Sequence, residues 1–157
     1  MIRSLFSRPE QPAIPGVHLY FSDDSVIVAA IHQNPDGIYY EQEMPLVISG
    51  QPTPEKLGAA FQRGLESFSV QGKDLKDEKR SDWPAFRVSG ARSVKEFERS
   101  FRPMHCYALN PSNAVVRASI QHPTQEGIEL SISFNPLLAP EAIGEKLLQL
   151  AHAAIAT

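Results

Sequence analysis

Between Ile128 and Phe134 the side chains alternate without a break: Ile128, Leu130, Ile132 and Phe134 are apolar, and Glu129, Ser131 and Ser133 between them are polar. Successive side chains of a strand point to opposite faces, so a period of two fits a strand with one face buried and the other wet. A slip of one residue would invert both faces, and the segment therefore dictates its own register. A chain carrying such an element must supply neighbouring strands and an apolar layer to cover it.

The neighbours are readable. Val17-His18-Leu19-Tyr20-Phe21, after the breaker Pro15-Gly16, is rich in β-branched and aromatic residues and predicts a first strand. Ser22-Asp23-Asp24-Ser25 can bond its own backbone in a tight turn, and Val26 to Ile31 resumes as a second strand. In Asn34-Pro35-Asp36-Gly37 the proline presets a type I turn and the glycine takes the left-handed position after it. A third strand then runs over Ile38 to Glu43, leading to a short edge segment at Leu46-Val47-Ile48. Met104 to Leu109 and Ala114 to Gln121 join Ile128 to Phe134 as a second set of three.

Helices are announced by their first turns. Thr53-Pro54-Glu55 combines a hydroxyl cap, a proline and an acid, and Leu57, Phe61, Leu65 and Phe68 follow at helical spacing. Ser93-Val94-Lys95-Glu96 matches a capping box ahead of Phe97 and Phe101, with Pro103 as the stop. Pro140-Glu141 opens a terminal helix with a stripe of Ile143, Leu147, Leu150 and Ala151. The order predicts an α+β fold: an antiparallel sheet of about six strands with three helices on one side, in the sequence βββααβββα. Residues 1–15 read as a tail and residues 16–157 as one domain. The halves echo each other as three strands plus a helix, but no residue pattern repeats, which reads as topology and not duplication.

Composition narrows the function classes. Of 157 residues 42% are apolar and 21% charged, enough for a packed core. Cys106 is the only cysteine, so no internal disulfide forms, and a reducing, cytoplasmic setting is expected. The N-terminal stretch lacks the continuous apolar run of a secretory signal, and nowhere do roughly 18 apolar residues follow one another, so no membrane partner is expected. A net charge of −3 argues against direct nucleic-acid binding. The charge is unevenly spread: seven acids and two bases lie within residues 17–66, whereas Arg87, Arg92, Lys95, Arg99 and Arg102 face only Glu96 and Glu98 within residues 83–102.

No motif for catalysis emerges. The five histidines, at positions 18, 32, 105, 122 and 152, lack metal-ligand spacing, and a turn at Asp23 and Asp24 sets His18 opposite Ala29 rather than His32. His105 and Cys106 point to opposite faces of a strand, a poor nucleophile pair. Glu41 and Glu43 would share one strand face and form the single carboxylate pair worth weighing. The glycines make no phosphate-binding loop, so no catalytic residue, cofactor or metal is expected. Asp82-Trp83-Pro84-Ala85-Phe86 stands out because it holds the only tryptophan, either a core anchor for a long connection or an interface hot spot.

Pro15-Gly16-Val17, Ser22-Asp23-Asp24, Val28-Ala29-Ala30-Ile31-His32, Asp82-Trp83-Pro84-Ala85-Phe86, Ser89-Gly90 and Ser93-Val94-Lys95-Glu96-Phe97-Glu98 resemble contact-dependent growth inhibition immunity proteins. The resemblance implies a small cytoplasmic protein that pairs one to one with the C-terminal toxin domain of a cell-surface effector, often a nuclease, and inhibits it by occlusion. A basic toxin cleft would be met by acids. The acidic hairpin residues Asp23, Asp24, Asp36, Glu41 and Glu43 are the first candidates, and Asp74, Asp77 and Glu78 in the charged run before Trp83 are the second, with Trp83 itself. A secretion chaperone that shields an effector is the alternative of another class.

Overall fold

Both marked turns close as their residues dictate. At Asn34 the side-chain Oδ1 accepts from the amides of Asp36 and Ile38 at 3.0 and 2.9 Å, the Gly37 amide bonds the Asn34 carbonyl at 2.9 Å, and Gly37 takes φ +83°. At Ser22 the hydroxyl accepts from the Ser25 amide at 3.1 Å. The computed structural model describes residues 12–73, 79, 82–120 and 127–155.

In chain order the elements are β1 (Gly16–Phe21), β2 (Ser25–Gln33), β3 (Tyr39–Glu41), β4 (Leu46–Ser49), α1 (Pro54–Glu66), β5 (Ser69–Val70), α2 (Pro84–Val88), α3 (Val94–Ser100), β6 (Arg102–Asn110), β7 (Asn113–Ser119), β8 (Glu129–Phe134) and α4 (Pro140–Ile155). The α+β fold with an antiparallel sheet stands. Six strands lie side by side as β3-β2-β1-β6-β7-β8; β4 and the two-residue β5 also pair with β2, β5 in parallel. His18 faces Ala29, as the turn predicts. Gln121 of the sixth predicted strand and residues 1–11 of the predicted tail lie outside the described residues.

The caps also hold. Thr53 Oγ1 accepts from the Lys56 amide at 3.3 Å, and Ser93 Oγ from the Glu96 amide at 3.1 Å. The Glu96 carboxylate reaches back one residue further than a capping box requires, to the Arg92 amide at 2.9 Å. No described helix is long and apolar enough to cross a membrane.

Two corrections concern the helices. There are four among the described residues, because α2 forms at Pro84 where a loop is expected. They also lie on both sides of the sheet. Val17, Leu19 and Phe21 of β1 pack with Leu57 and Phe61 of α1 and Ile143 and Leu147 of α4. Tyr20, Ile27 and Ala29, on the other face by alternation, pack with Ala85, Phe97 and Phe101. That second face of β1 and β2 is apolar too, so it needs a cover of its own.

A third correction is that the halves do repeat. β1 and β6 pair about their middle residues, with His18 opposite His105, Val17 opposite Cys106 and Leu19 opposite Met104. Outward from that centre the registers match: His18 with Ala29 answers His105 with Arg117, Tyr20 with Ile27 answers Tyr107 with Val115, and Ile27 with Val47 answers Val115 with Ser133. Each half then enters its helix through the same pattern, Pro54-Glu55-Lys56-Leu57-Gly58 and Pro140-Glu141-Ala142-Ile143-Gly144. A Cβ on Gly58 would stand 1.7 Å from the Pro140 carbonyl oxygen, and one on Gly144 1.8 Å from that of Pro54. Each glycine is thus the notch that receives the first residue of the other helix. Three strands and a helix are related to three strands and a helix by a two-fold axis through the His18–His105 pair.

Candidate functional site

Glu41 is the last residue of β3, where it pairs with Ile31, and its side chain is 4% exposed. A carboxylate at that depth must be fully hydrogen-bonded or neutral. Three groups bond it. Tyr20 of β1 donates its hydroxyl to Oε1 at 2.5 Å, His18 Nδ1 lies 3.2 Å from the same oxygen, and the Ala85 amide donates to Oε2 at 2.9 Å. Ala85 is the second residue of α2, whose cap position is held by Trp83, a side chain without an acceptor. Glu41 therefore caps a helix 44 residues away in sequence, satisfying an amide that α2 leaves orphaned.

The electrostatics follow from this packing. Burial alone would push the Glu41 carboxyl up; the polar hydrogens of His18, Trp83 and Tyr20 turned toward it more than offset that and hold it below the ordinary glutamate value. Burial first, and then the Glu41 charge, push the Tyr20 phenol up, so it stays a donor. His105 meets His18 edge to face at 4.5 Å between ring centroids, and burial, with His18 beside it, lowers its pKa to about 4. Burial pushes the Cys106 thiol up to about 12, which leaves it an unreactive core side chain.

Of the predicted site residues, Glu41 moves from the surface to the interior, because it satisfies Tyr20, His18 and Ala85. Glu43 lies beyond the end of β3, is 63% exposed, and pairs with Arg87 of α2 and, at 3.5 Å, with Lys73. The two acids do not share a strand face. Asp23 and Asp24 are exposed at the β1–β2 turn and Asp36 at the β2–β3 turn. These turns lie at opposite ends of nine-residue β2, roughly 30 Å apart at ~3.3 Å per residue, so the acids of the hairpin do not form one patch. Asp74, Asp77 and Glu78 lie outside the described residues.

Trp83 is half-buried, its ring edge to face with Phe97 at 4.9 Å and with Tyr20 at 5.7 Å. These contacts tie the tryptophan segment to the second face of the sheet and leave the side chain partly exposed. Sequence reasoning passes over Tyr20 and weighs His18 and His105 only for metal or nucleophile chemistry, not as partners of Glu41 and of each other. Their signal is a repeat, Val17-His18-Leu19-Tyr20 against Met104-His105-Cys106-Tyr107. Beside the centre, His32, Tyr40, Glu43, Met44, Gln71 and Lys73 line, with Glu41, a cleft of about 500 Å³ of mixed polar and apolar character. Among the described residues no group of three or more His, Cys, Asp or Glu side chains is placed to hold a metal ion.

No protein-family model matches the sequence, and no curated protein matches it. Solved structures match in fold. A protein of unknown function from Neisseria meningitidis is similar with a TM-score of 0.67 at 15% identity, over 92% of this chain and 96% of that one. A chain of the CdiA-CT/CdiI toxin and immunity complex from Yersinia pseudotuberculosis is similar with a TM-score of 0.62 at 12% identity, over 90% of this chain and 97% of that one.

Proposed function

We propose that this protein is an immunity protein of a contact-dependent growth inhibition system, which binds the toxin domain of a cell-surface effector and blocks it by occlusion. The observation that carries the reading is the fold match over nearly the whole of both chains to a component of a toxin and immunity complex. The resemblance of the segments from Pro15 to Glu98 to such immunity proteins points the same way. The centre at Glu41 fits a binding protein: its carboxylate oxygens are engaged by Tyr20, His18 and Ala85, so the polar interior serves to hold the α2 segment in place. The partner is a folded toxin domain with nuclease activity, bound one to one in the cytoplasm.

Co-expression with the toxin domain encoded beside this gene tests the reading. Restored growth, and elution of the two proteins as one stoichiometric complex, is the expected result. Undiminished toxicity in the presence of abundant folded protein overturns it; capture of an unfolded effector segment by a dimer of this chain would favour a secretion chaperone.

A further inference from the structure

The two-fold axis through His18 and His105 makes the outer faces of the two halves equivalent, yet they are treated differently. In the first half Tyr20, Ile27 and Ala29 are buried under α2 and α3, which bring Ala85, Phe97 and Phe101 onto them. The residues in the same places in the second half are Tyr107, Val115 and Arg117. On this half Tyr107 and Val115 are half-buried, and Arg117, Ser119, Glu129, Ser131 and Ser133 are exposed. The opposite face of the same strands is sealed by the core, through Met104, Cys106, Val116 and Phe134. Among the described residues, one half therefore has a cover and its counterpart does not.

We infer that the uncovered outer face of β6, β7 and β8 is where the toxin domain docks, and that the toxin supplies there what α2 and α3 supply to the first half: a short helical segment with an aromatic side chain at its centre. This rests on the immunity reading and names its surface. The first half shows that a seven-residue helix presenting Phe97, with Phe101 just past its end, fits a sheet face of this shape. Tyr107 keeps the aromatic that Phe97 meets in Tyr20, and Tyr39 extends the platform, 6.0 Å from Tyr107 edge to face. Tyrosine and arginine side by side are the residues that dominate protein interfaces. The charge specifies the ligand further. Arg117 stands where the covered half has Ala29, and its one ion pair among the described residues is an exposed 3.5 Å contact with Glu129. A docking segment gains by placing an acid beside its aromatic group.

The test is affinity of the purified full chain for the co-encoded toxin domain, with two sets of variants. Arg117→Glu combined with Ser131→Arg and Ser133→Arg changes only exposed side chains of the uncovered face, and is expected to weaken binding at least 100-fold while the melting temperature stays within a few degrees. Arg92→Glu with Lys95→Glu, on the covered side, is expected to leave affinity within threefold. Unchanged affinity of the first variant set overturns the inference and leaves the immunity reading standing. Absence of any complex with the wild-type chain overturns both. Concentration-dependent dimers of the chain alone, abolished by the same three substitutions, would assign the face to a second copy instead of the toxin.

Discussion

The carboxylate of Glu41 and the backbone amide of Ala85 are hydrogen-bonded at 2.9 Å across 44 residues of sequence, and this bond ties the first turn of α2 to the end of β3. Glu41→Ala would leave that amide, the Tyr20 hydroxyl and His18 without their acceptor in a largely buried setting. A loss of about 3–5 kcal/mol is expected, the range for breaking a buried charged network by removing one partner. Glu41→Gln keeps one acceptor and should cost about half as much. Urea midpoints at pH 7 check both, and an alanine variant as stable as wild type would disprove the network's role.

Acid should destabilise the protein in two stages. The His105 pKa of about 4 lies below the ordinary 6.5, so the unfolded chain takes up that proton first. The stability linked to neutral His105 is present above pH 6.5 and is lost as pH falls toward 4. The shift corresponds to about 1–2 kcal/mol after discounting for the ring's partial exposure. Glu41 is also lowered, so its contribution is lost at more acid pH still, as pH falls through its folded value. His105→Gln should abolish the first stage and leave the second, as read from urea midpoints between pH 7 and 3.

Gly58→Ala and Gly144→Ala should each destabilise by about 1–3 kcal/mol or more, because each new methyl meets a backbone carbonyl that can move only with its helix. Once one substitution has pushed α1 and α4 apart, the other meets less resistance. The double variant should therefore cost clearly less than the sum of the singles, in thermal or chemical denaturation.

Glu43→Ala is the counterpart of Glu41→Ala on a wet surface. Its partners Arg87 and Lys73 are partly exposed and Glu43 itself is 63% exposed, so the loss should stay below about 1 kcal/mol and shrink in high salt. A larger loss would mean that the Glu43–Arg87 pair, and not Glu41, holds α2.

What can be read from residues alone is local. The Asn34 to Gly37 turn, the Thr53 and Ser93 caps and the alternation of β8 each depend on side chains a few positions apart, and each forms as expected. The position of Glu41 is not readable that way, since its oxygens are engaged by residues 21 positions before it and 44 after it. The same nonlocality hides α2, whose first turn is capped by β3 and not by its own neighbours. The second buried face is legible in principle: Tyr20, Ile27 and Ala29 are too apolar for a wet surface. The repeat escapes a reading of the letters because only the His-x-Tyr and Pro-Glu-x-x-Gly segments survive in them, while the registers that reveal it exist only in the sheet.

The reciprocal seating of Pro140 on Gly58 and Pro54 on Gly144 is an isologous contact enclosed within one chain. In a dimer of identical chains, one altered codon would spoil both notches at once, and any new feature on one outer surface would appear on both. Joining the halves in a single polypeptide removes that constraint. One half can carry α2 and α3 on its outer face while, among the described residues, its twin carries no such cover, an asymmetry that two identical chains could not have.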